Sequence, residues 1–493
     1  NILASTQVSQ SANLKTGRNA IALQWGAKAD GDPLGATANG TDNGVIIQAI
    51  IDYLEAAYQT GLFSSAGSIQ LDAGTYETTT GLSVPANIGI YGRGPDVTEF
   101  QNQSGNTTAY NMINMPDRGD AQPNEKANRN LSLGGFSVNA NDNNTTGNVK
   151  SMSVTNALYC WFTNMEFKQA EGKNVELTSC SNFFWSNVMF RDGNQSQLVL
   201  NDCTNMTFGS SVTFRTGNKW GVEFPATSVS PSNRISFAGA RFASSIEGGI
   251  GVFDDSTGDV LGCSFVEGSS ASATYGAAVY IDQNTADEWV VNGNTFTRIF
   301  GRCIWSKGDN TTASNNVVKS CRKDGIVLSG VDSTAEGNTV TDAGYLTDNT
   351  YDGIVLAGER CKAKDNKVYF KNDVGGAGQK LRYGINATAA NCEVIDNTVG
   401  TGAAYEGLNI VASSTVSYKN KGICQQLPFV IAGMSADQTG IAASTVVVDF
   451  DTKSKDQQSD FDTTTNTFTA PSDGFYTFDA TVDTQNVGGG TTQ

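Results

Sequence analysis

Gly325-Ile326-Val327-Leu328 and Gly353-Ile354-Val355-Leu356 are the same four residues written twice. Looser copies follow at Gly384-Ile385-Asn386-Ala387 and Gly407-Leu408-Asn409-Ile410, and earlier ones stand at Gly221-Val222-Glu223-Phe224 and Gly249-Ile250-Gly251-Val252. A second phrase recurs about a dozen residues later: Gly-Asn-Thr-Phe ending at Phe296, Asn-Asn-Val-Val at Val318, Gly-Asn-Thr-Val at Val340, Asp-Asn-Lys-Val at Val368 and Asp-Asn-Thr-Val at Val399. Its asparagines, Asn294, Asn316, Asn338, Asn366 and Asn397, are spaced 22, 22, 28 and 31 residues apart. A period in the twenties, with two short β-type runs in each unit, is a solenoid signature. Both runs alternate apolar and polar residues, and no amphipathic helical pattern separates them. The economical solution is an all-β parallel β-helix, one coil per repeat, with strands stacked about 4.8 Å apart. Ile250, Ile304, Ile326, Ile354, Ile385 and Leu408 are then expected to form one inward stack. The asparagines are expected to form a ladder at an inside turn, bonding to backbone and to each other.

Working outward from the repeats, composition agrees. A chain of 493 residues exceeds one ordinary globular core. A solenoid evades that limit because its core grows along one axis. Charged residues are only 16 %, and 54 glycines suit many tight turns. The net charge of −17 argues against nucleic acid or an anionic membrane as partner. No apolar run is long enough for a transmembrane helix, and no signal peptide is recognisable. Histidine is absent, so Ser-His-Asp, Cys-His and His-metal chemistry are excluded. Catalysis must rest on carboxylates, Tyr, Lys or Arg, and no metal or cofactor motif is present: no P-loop, zinc spacing or dinucleotide fingerprint. The nine cysteines form no CxxC pair. Cys180 and Cys203 follow inward Leu177 and Leu200 by three residues, and Cys361 and Cys392 follow Ile354 and Ile385 by seven. They read as reduced, apolar fillers of the coil interior.

Toward the N-terminus, residues 1–20 read as a linker or the end of an upstream domain. Residues 21–100 read as an N-terminal cap and first coils: Trp25-Gly26-Ala27-Lys28-Ala29-Asp30-Gly31, a helix over Asn43–Leu54 with apolar spacing, Ile69-Gln70-Leu71-Asp72-Ala73-Gly74-Thr75-Tyr76, and Ile88-Gly89-Ile90-Tyr91-Gly92-Arg93-Gly94. This set resembles the opening of the pectate-lyase-like right-handed β-helix superfamily, and in particular phage tailspikes and capsule depolymerases, with Trp25 where Phe is usual. The resemblance spans about residues 21–420. It implies a single-stranded right-handed parallel β-helix over 101–424, plugged by the helix, and a homotrimer carried on a phage tail or baseplate. Residues 101–130 read as a surface excursion. Residues 425–493, with Val446–Phe450 and Thr467–Phe478, resemble the first half of a complement/TNF-like jelly roll, a trimeric domain. An N-terminal Asn and half a jelly roll lead us to expect a fragment or processed product that continues past residue 493.

Insertions near Ser269–Tyr275, Thr341–Asp352, Tyr369–Tyr383 and Gly400–Glu406 all precede the Gly that opens the inward strand, raising one wall of loops. The same corner carries Arg322-Lys323-Asp324-Gly325, Tyr351-Asp352-Gly353, Arg382-Tyr383-Gly384 and Tyr405-Glu406-Gly407. Coil stacking would set Asp324 and Asp352 about 5 Å apart and Asp352 and Glu406 about 10 Å apart. Close carboxylates suit retaining glycosidases, and wider ones suit inverting enzymes. Trp305, Tyr351, Tyr383 and Tyr405 could stack on sugars, with Arg322 and Arg382 beside them. A second cluster is Asp254, Asp255 and Asp282, with Glu247 near in sequence. A third, weaker column is Glu176 and Glu223. Each also reads as ordinary turn chemistry or a solvated face. The sequence therefore predicts a phage tailspike that hydrolyses a bacterial capsule or O-antigen, in the virion and at the host surface. The alternatives are a lyase of the same fold or a non-catalytic receptor-binding fibre.

Overall fold

A computed structural model describes residues 19–31, 41–60, 67–115, 128–421, 430–433, 452–456, 461–462, 464 and 467–468. Residues 86, 104–105, 107–108, 130, 142–148, 227–229, 270–274, 283–287, 348, 371–380, 401–403 and 413 are omitted within them. The chain divides into two units, 1–424 and 425–493.

In the first unit the repeats wind as superposed parallel coils. One run of each coil joins a thirteen-stranded sheet that extends from Leu82–Ser83 to Ala404–Ile410, here called the front face. The others belong to a 25-stranded sheet. The register makes one column of Val222, Ile250, Val279, Ile304, Ile326, Ile354, Ile385 and Leu408. All of these side chains are buried. The expected aliphatic stack is therefore present, with Val279 filling the coil whose sequence lacks a clear copy.

The glycine that opens each copy has a steric origin. A Cβ on Gly353 would lie 2.5 Å from the Gly384 carbonyl oxygen and 2.6 Å from a Val368 methyl. The valine ending the second phrase thus occupies the space, and only glycine fits beside it. Valines Val318, Val340, Val368 and Val399 extend a column that begins as rings: Phe190, Phe214, Phe242, Phe265 and Phe296 stack at 4.8, 4.9, 4.7 and 4.8 Å between centroids.

The asparagine ladder is continuous. Each Nδ2 donates to the Oδ1 of the next asparagine, at 2.9 Å from Asn294 through Asn397 and at 3.0 Å from Asn397 to Asn420. Each Nδ2 also donates to a backbone carbonyl, and each backbone N–H donates to the next Oδ1, so the buried amides are well satisfied. The residue before each asparagine is left-handed: Gly293, Asn315, Gly337, Asp365 and Asp396, with φ of 68°, 53°, 66°, 54° and 55°. That conformation favours Gly, Asn and Asp, which explains the variable first letter of the phrase. Asn338→Ala removes four of these bonds and strands buried partners on both sides. Urea unfolding should show a loss of about 3 kcal/mol, from orphaned groups costing about 1–3 kcal/mol each. An unchanged midpoint would mean the ladder contributes nothing.

The helix forms over Gly44–Gln59 and buries Ile47, Ile50, Ile51, Leu54 and Ala57. Trp25 packs on its Tyr53 at 5.4 Å. Leu82–Ser83 ends the front face, and an open sheet edge exposes unpaired backbone. Gln48 covers it: its Oε1 accepts from the Ser83 N–H at 2.7 Å and its Nε2 donates to the Ser83 carbonyl at 3.1 Å.

One expectation is corrected. Within residues 101–130, Thr98–Asn102 and Asn111–Met115 are strands, and the latter pairs with Lys150–Thr155. Ile113 and Met115 are buried, so this stretch supplies core despite its polar composition. Residues 116–127 lie outside the described residues. The eight described cysteines are buried free thiols. Burial pushes Cys361 up to about 12 and Cys263 up to about 11.

In the second unit, Val430–Gly433 pairs antiparallel with Thr452–Asp456, and Phe461–Asp462 with Thr467–Phe468. The other jelly-roll segments named above lie outside the described residues.

Candidate functional site

The register shows what the outer side of the front face carries. One column, at the start of each strand, reads Trp220, Gly248, Ala277, Arg302, Asp324, Asp352, Tyr383, Glu406. Another reads Glu176, Val199, Glu223, Gly251, Tyr280, Trp305, Val327, Val355, Asn386, Asn409.

Asp324 and Asp352 are brought together as expected. The Asp352 backbone N–H donates to Asp324 Oδ1 at 3.0 Å, and Arg302 Nε donates to Asp324 Oδ2 at 3.0 Å. Burial pushes the Asp324 carboxyl up, against the opposing pull of that backbone bond and of Arg302. Asp352 is fully buried. Arg382 grips it with Nε at 3.0 Å and Nη2 at 2.8 Å, the Tyr383 N–H donates at 3.1 Å, and Asn386 Nδ2 donates at 2.7 Å. The bond to Asp352 holds Arg382 above its ordinary pKa. Tyr383 lies under the Arg382 guanidinium at 5.1 Å and pairs in register with Glu406. Tyr405 is in the same strand as Glu406. Tyr351 is half-buried, and Arg322 lies over the Phe300 ring at 4.3 Å. In this corner the carboxylates bind arginines and backbone, which fixes the coils to one another.

The second cluster sits differently. Val252 pairs with Ile281, so Asp282 falls opposite Phe253 and one step out of register with Asp254. The expected direct stacking is corrected to a diagonal across adjacent coils, with the backbones roughly 6 Å apart from strand spacing and rise. Asp254 Oδ1 accepts the Ser256 N–H at 3.1 Å. Asp282 Oδ1 accepts from the Tyr280 hydroxyl at 2.7 Å and from Lys307 Nζ at 3.2 Å. Glu247 is not part of this group: it precedes Gly248 at the other end of the strand, about 20 Å away along it at about 3.3 Å per residue. Its Oε2 faces the Tyr275 N–H at 3.5 Å. Glu176 is paired with Lys150 and Lys173; burial works to raise it, but these two cations hold it below the usual carboxylate range. Glu223 accepts from the Ser196 hydroxyl.

Between these ends lies an aromatic cluster that sequence reasoning found only at Trp305. Trp220, Phe253, Tyr275, Tyr280 and Trp305 pack on the outer side, separate from the solenoid core. Tyr280 lies 4.7 Å from Tyr275, 5.0 Å from Trp305, 5.5 Å from Phe253 and 6.2 Å from Trp220. Cations flank it, with Arg302 4.4 Å and Lys307 5.1 Å from the Trp305 ring. The indole of Trp220 has room because Gly251 lies beneath it, where a Cβ would come within 2.6 Å of the ring. Gly248 and Gly251 are the signal that reading missed: two glycines on one strand, in register with Trp220 and Tyr280. Burial, then Asp282, pushes the Tyr280 phenol up, so it stays a hydrogen-bond donor. Among the described residues no group of three or more acidic or thiol side chains is arranged to hold a metal ion.

The family described as right handed beta helix region matches residues 302–427. The first unit is a right-handed parallel β-helix. Solved structures with the same winding include the N-terminal fragment of gene product 12 of bacteriophage phi29, at 13 % identity, covering 85 % of this chain and 74 % of that one, with a TM-score of 0.58. Another is the A-module of the Azotobacter vinelandii mannuronan C-5 epimerase AlgE6, at 13 % identity, 81 % and 98 % coverage, and a TM-score of 0.51. The tailspike protein 3 of bacteriophage CBA120 is similar at 14 % identity, 87 % and 65 % coverage, and a TM-score of 0.47. No curated protein matches the chain.

Proposed function

We propose that this β-helix binds a bacterial surface polysaccharide along its front face and hydrolyses it with Asp254 and Asp282. The observation that carries the reading is the aromatic cluster joined to an acidic pair: the Tyr280 ring is packed among Phe253, Tyr275 and Trp305 while its hydroxyl donates to Asp282. Aromatic faces stack on the apolar faces of sugar rings, and carboxylates on neighbouring coils suit acid/base glycoside cleavage. Backbones roughly 6 Å apart leave the side chains able to reach either the retaining or the inverting separation. A protonated Tyr280 is a poor base, which weighs against β-elimination through this phenol. The epimerase named above acts on mannuronan, and gene product 12 belongs to a phage. With the N-terminal motifs, these support a tailspike role: a homotrimer, attached to a phage tail or baseplate and acting at the bacterial surface as part of the virion.

The test is product chemistry on purified capsule and O-antigen from candidate hosts. New reducing ends without the ultraviolet absorbance of an unsaturated uronate are expected. Unsaturated ends would replace the hydrolase with a lyase. Tight binding that leaves polymer length unchanged would leave only the receptor-binding fibre.

A further inference from the structure

The sheet that adjoins the front face bears an outward strip that the cleavage site does not use. Two neighbouring columns define it. One reads Tyr159, Asn182, Asn205, Arg234 and Thr257, following the bridges Leu158–Ser181 and Ser181–Thr204 and the pairing of Thr204 with Asn233. The other reads Trp161, Phe184, Thr207, Ser236 and Asp259. At one end the rings are bare: Tyr159 is 45 %, Trp161 37 % and Phe184 50 % exposed. Trp161 and Phe184 stack on each other with nearly parallel planes, 5.7 Å between centroids and inclined by 11°, across two coils. Toward the other end the same columns turn polar. Thr204, Asn205, Asn233, Arg234 and Thr257 line a shallow pocket of about 470 Å³. Arg234 is exposed and makes no ion pair among the described residues. Five coils give a strip about 19 Å long at about 4.8 Å per coil.

We propose that this strip is a second, non-catalytic glycan-binding site. A protein partner would be expected to meet a continuous apolar surface. Here flat rings give way, within one ladder, to amides, hydroxyls and a guanidinium beside a pocket. That sequence of groups matches an oligosaccharide running along the helix axis: one sugar presents its C–H face to Trp161 and Phe184, and the next ones present hydroxyls to Asn205, Arg234 and Thr257. Such a site would hold the protein on a polymer between cleavage events, and it does not depend on where or whether cleavage occurs.

The test uses the whole chain on an array of capsular and O-chain oligosaccharides. Three variants are compared with the parent: Trp161→Ala/Phe184→Ala, Arg234→Ala and Trp305→Ala. All four rings and charges are at least partly exposed, and a melting curve for each checks folding. The strip variants should bind at least one glycan about tenfold more weakly than the parent, while Trp305→Ala retains that component. Equal binding by parent and strip variants, or no glycan bound by the parent, overturns the site. A change in oligomeric state of Trp161→Ala/Phe184→Ala with glycan binding intact would also overturn it, and would assign the rings to a contact between copies of the chain. Loss of cleavage in the Trp305 variant with strip binding retained separates this site from the front-face reading.

Discussion

Asp352→Ala is expected to lower the unfolding free energy by about 3 kcal/mol, because donors left without an acceptor at a buried site cost about 1–3 kcal/mol each while the partly exposed Arg382 can turn to water. The carboxylate is fully buried, and four donors converge on it from three residues. Its loss strands the Tyr383 N–H and the Asn386 amide and frees the Arg382 guanidinium. Asp352→Asn should do little better. Every neighbour of Asp352 is a donor, so the new NH₂ must face one of them. Chemical denaturation of the two variants reads this directly. The same substitutions separate structure from chemistry, because molecules still folded at low temperature should retain cleavage. Normal stability with abolished cleavage would give Asp352 the catalytic role that its place in the sequence had suggested.

Asp282→Asn and Asp254→Asn are expected to act the other way, each slowing cleavage by about 10²–10⁴-fold, the contribution of a positioned acid or base. Stability should hardly change. Asp282 and Lys307 are 31 % and 29 % exposed, and such pairs are worth at most about 1 kcal/mol. The readout is the rate of reducing-end release at saturating polymer, with a melting temperature for each variant. Full activity in both would remove this pair from the mechanism.

The winding was legible in the sequence because the core repeats. A coil must bury the same type of side chain at the same place, so Ile326 and Ile354 announce that they are neighbours, and they pair in register on adjacent coils. The ladder asparagines are legible for the same reason, with a left-handed residue before each. The site was much less legible. Outward residues are free to vary from coil to coil, so nothing repeats to mark Trp220, Tyr280 and Lys307 as companions of Trp305. The Asp254–Asp282 diagonal needed the register to within one residue, and the coil over Ala277–Ile281 has Val279 where a clear repeat was wanting. Asp324 and Asp352 were placed correctly as neighbours. Their arginine partners Arg302 and Arg382 lie 22 and 30 residues along the chain, and only stacking reveals them as the donors that occupy those oxygens.

The most direct test is a structure of the Asp282→Asn protein soaked with an oligosaccharide of the polymer that the parent cleaves. Sugar rings should lie over Trp305 and the partly exposed Phe253 and Tyr275 that cover Tyr280, with a glycosidic oxygen within hydrogen-bonding reach of residue 254 or 282. Sugar bound elsewhere, with the outer aromatic cluster of the front face bare, would contradict the account.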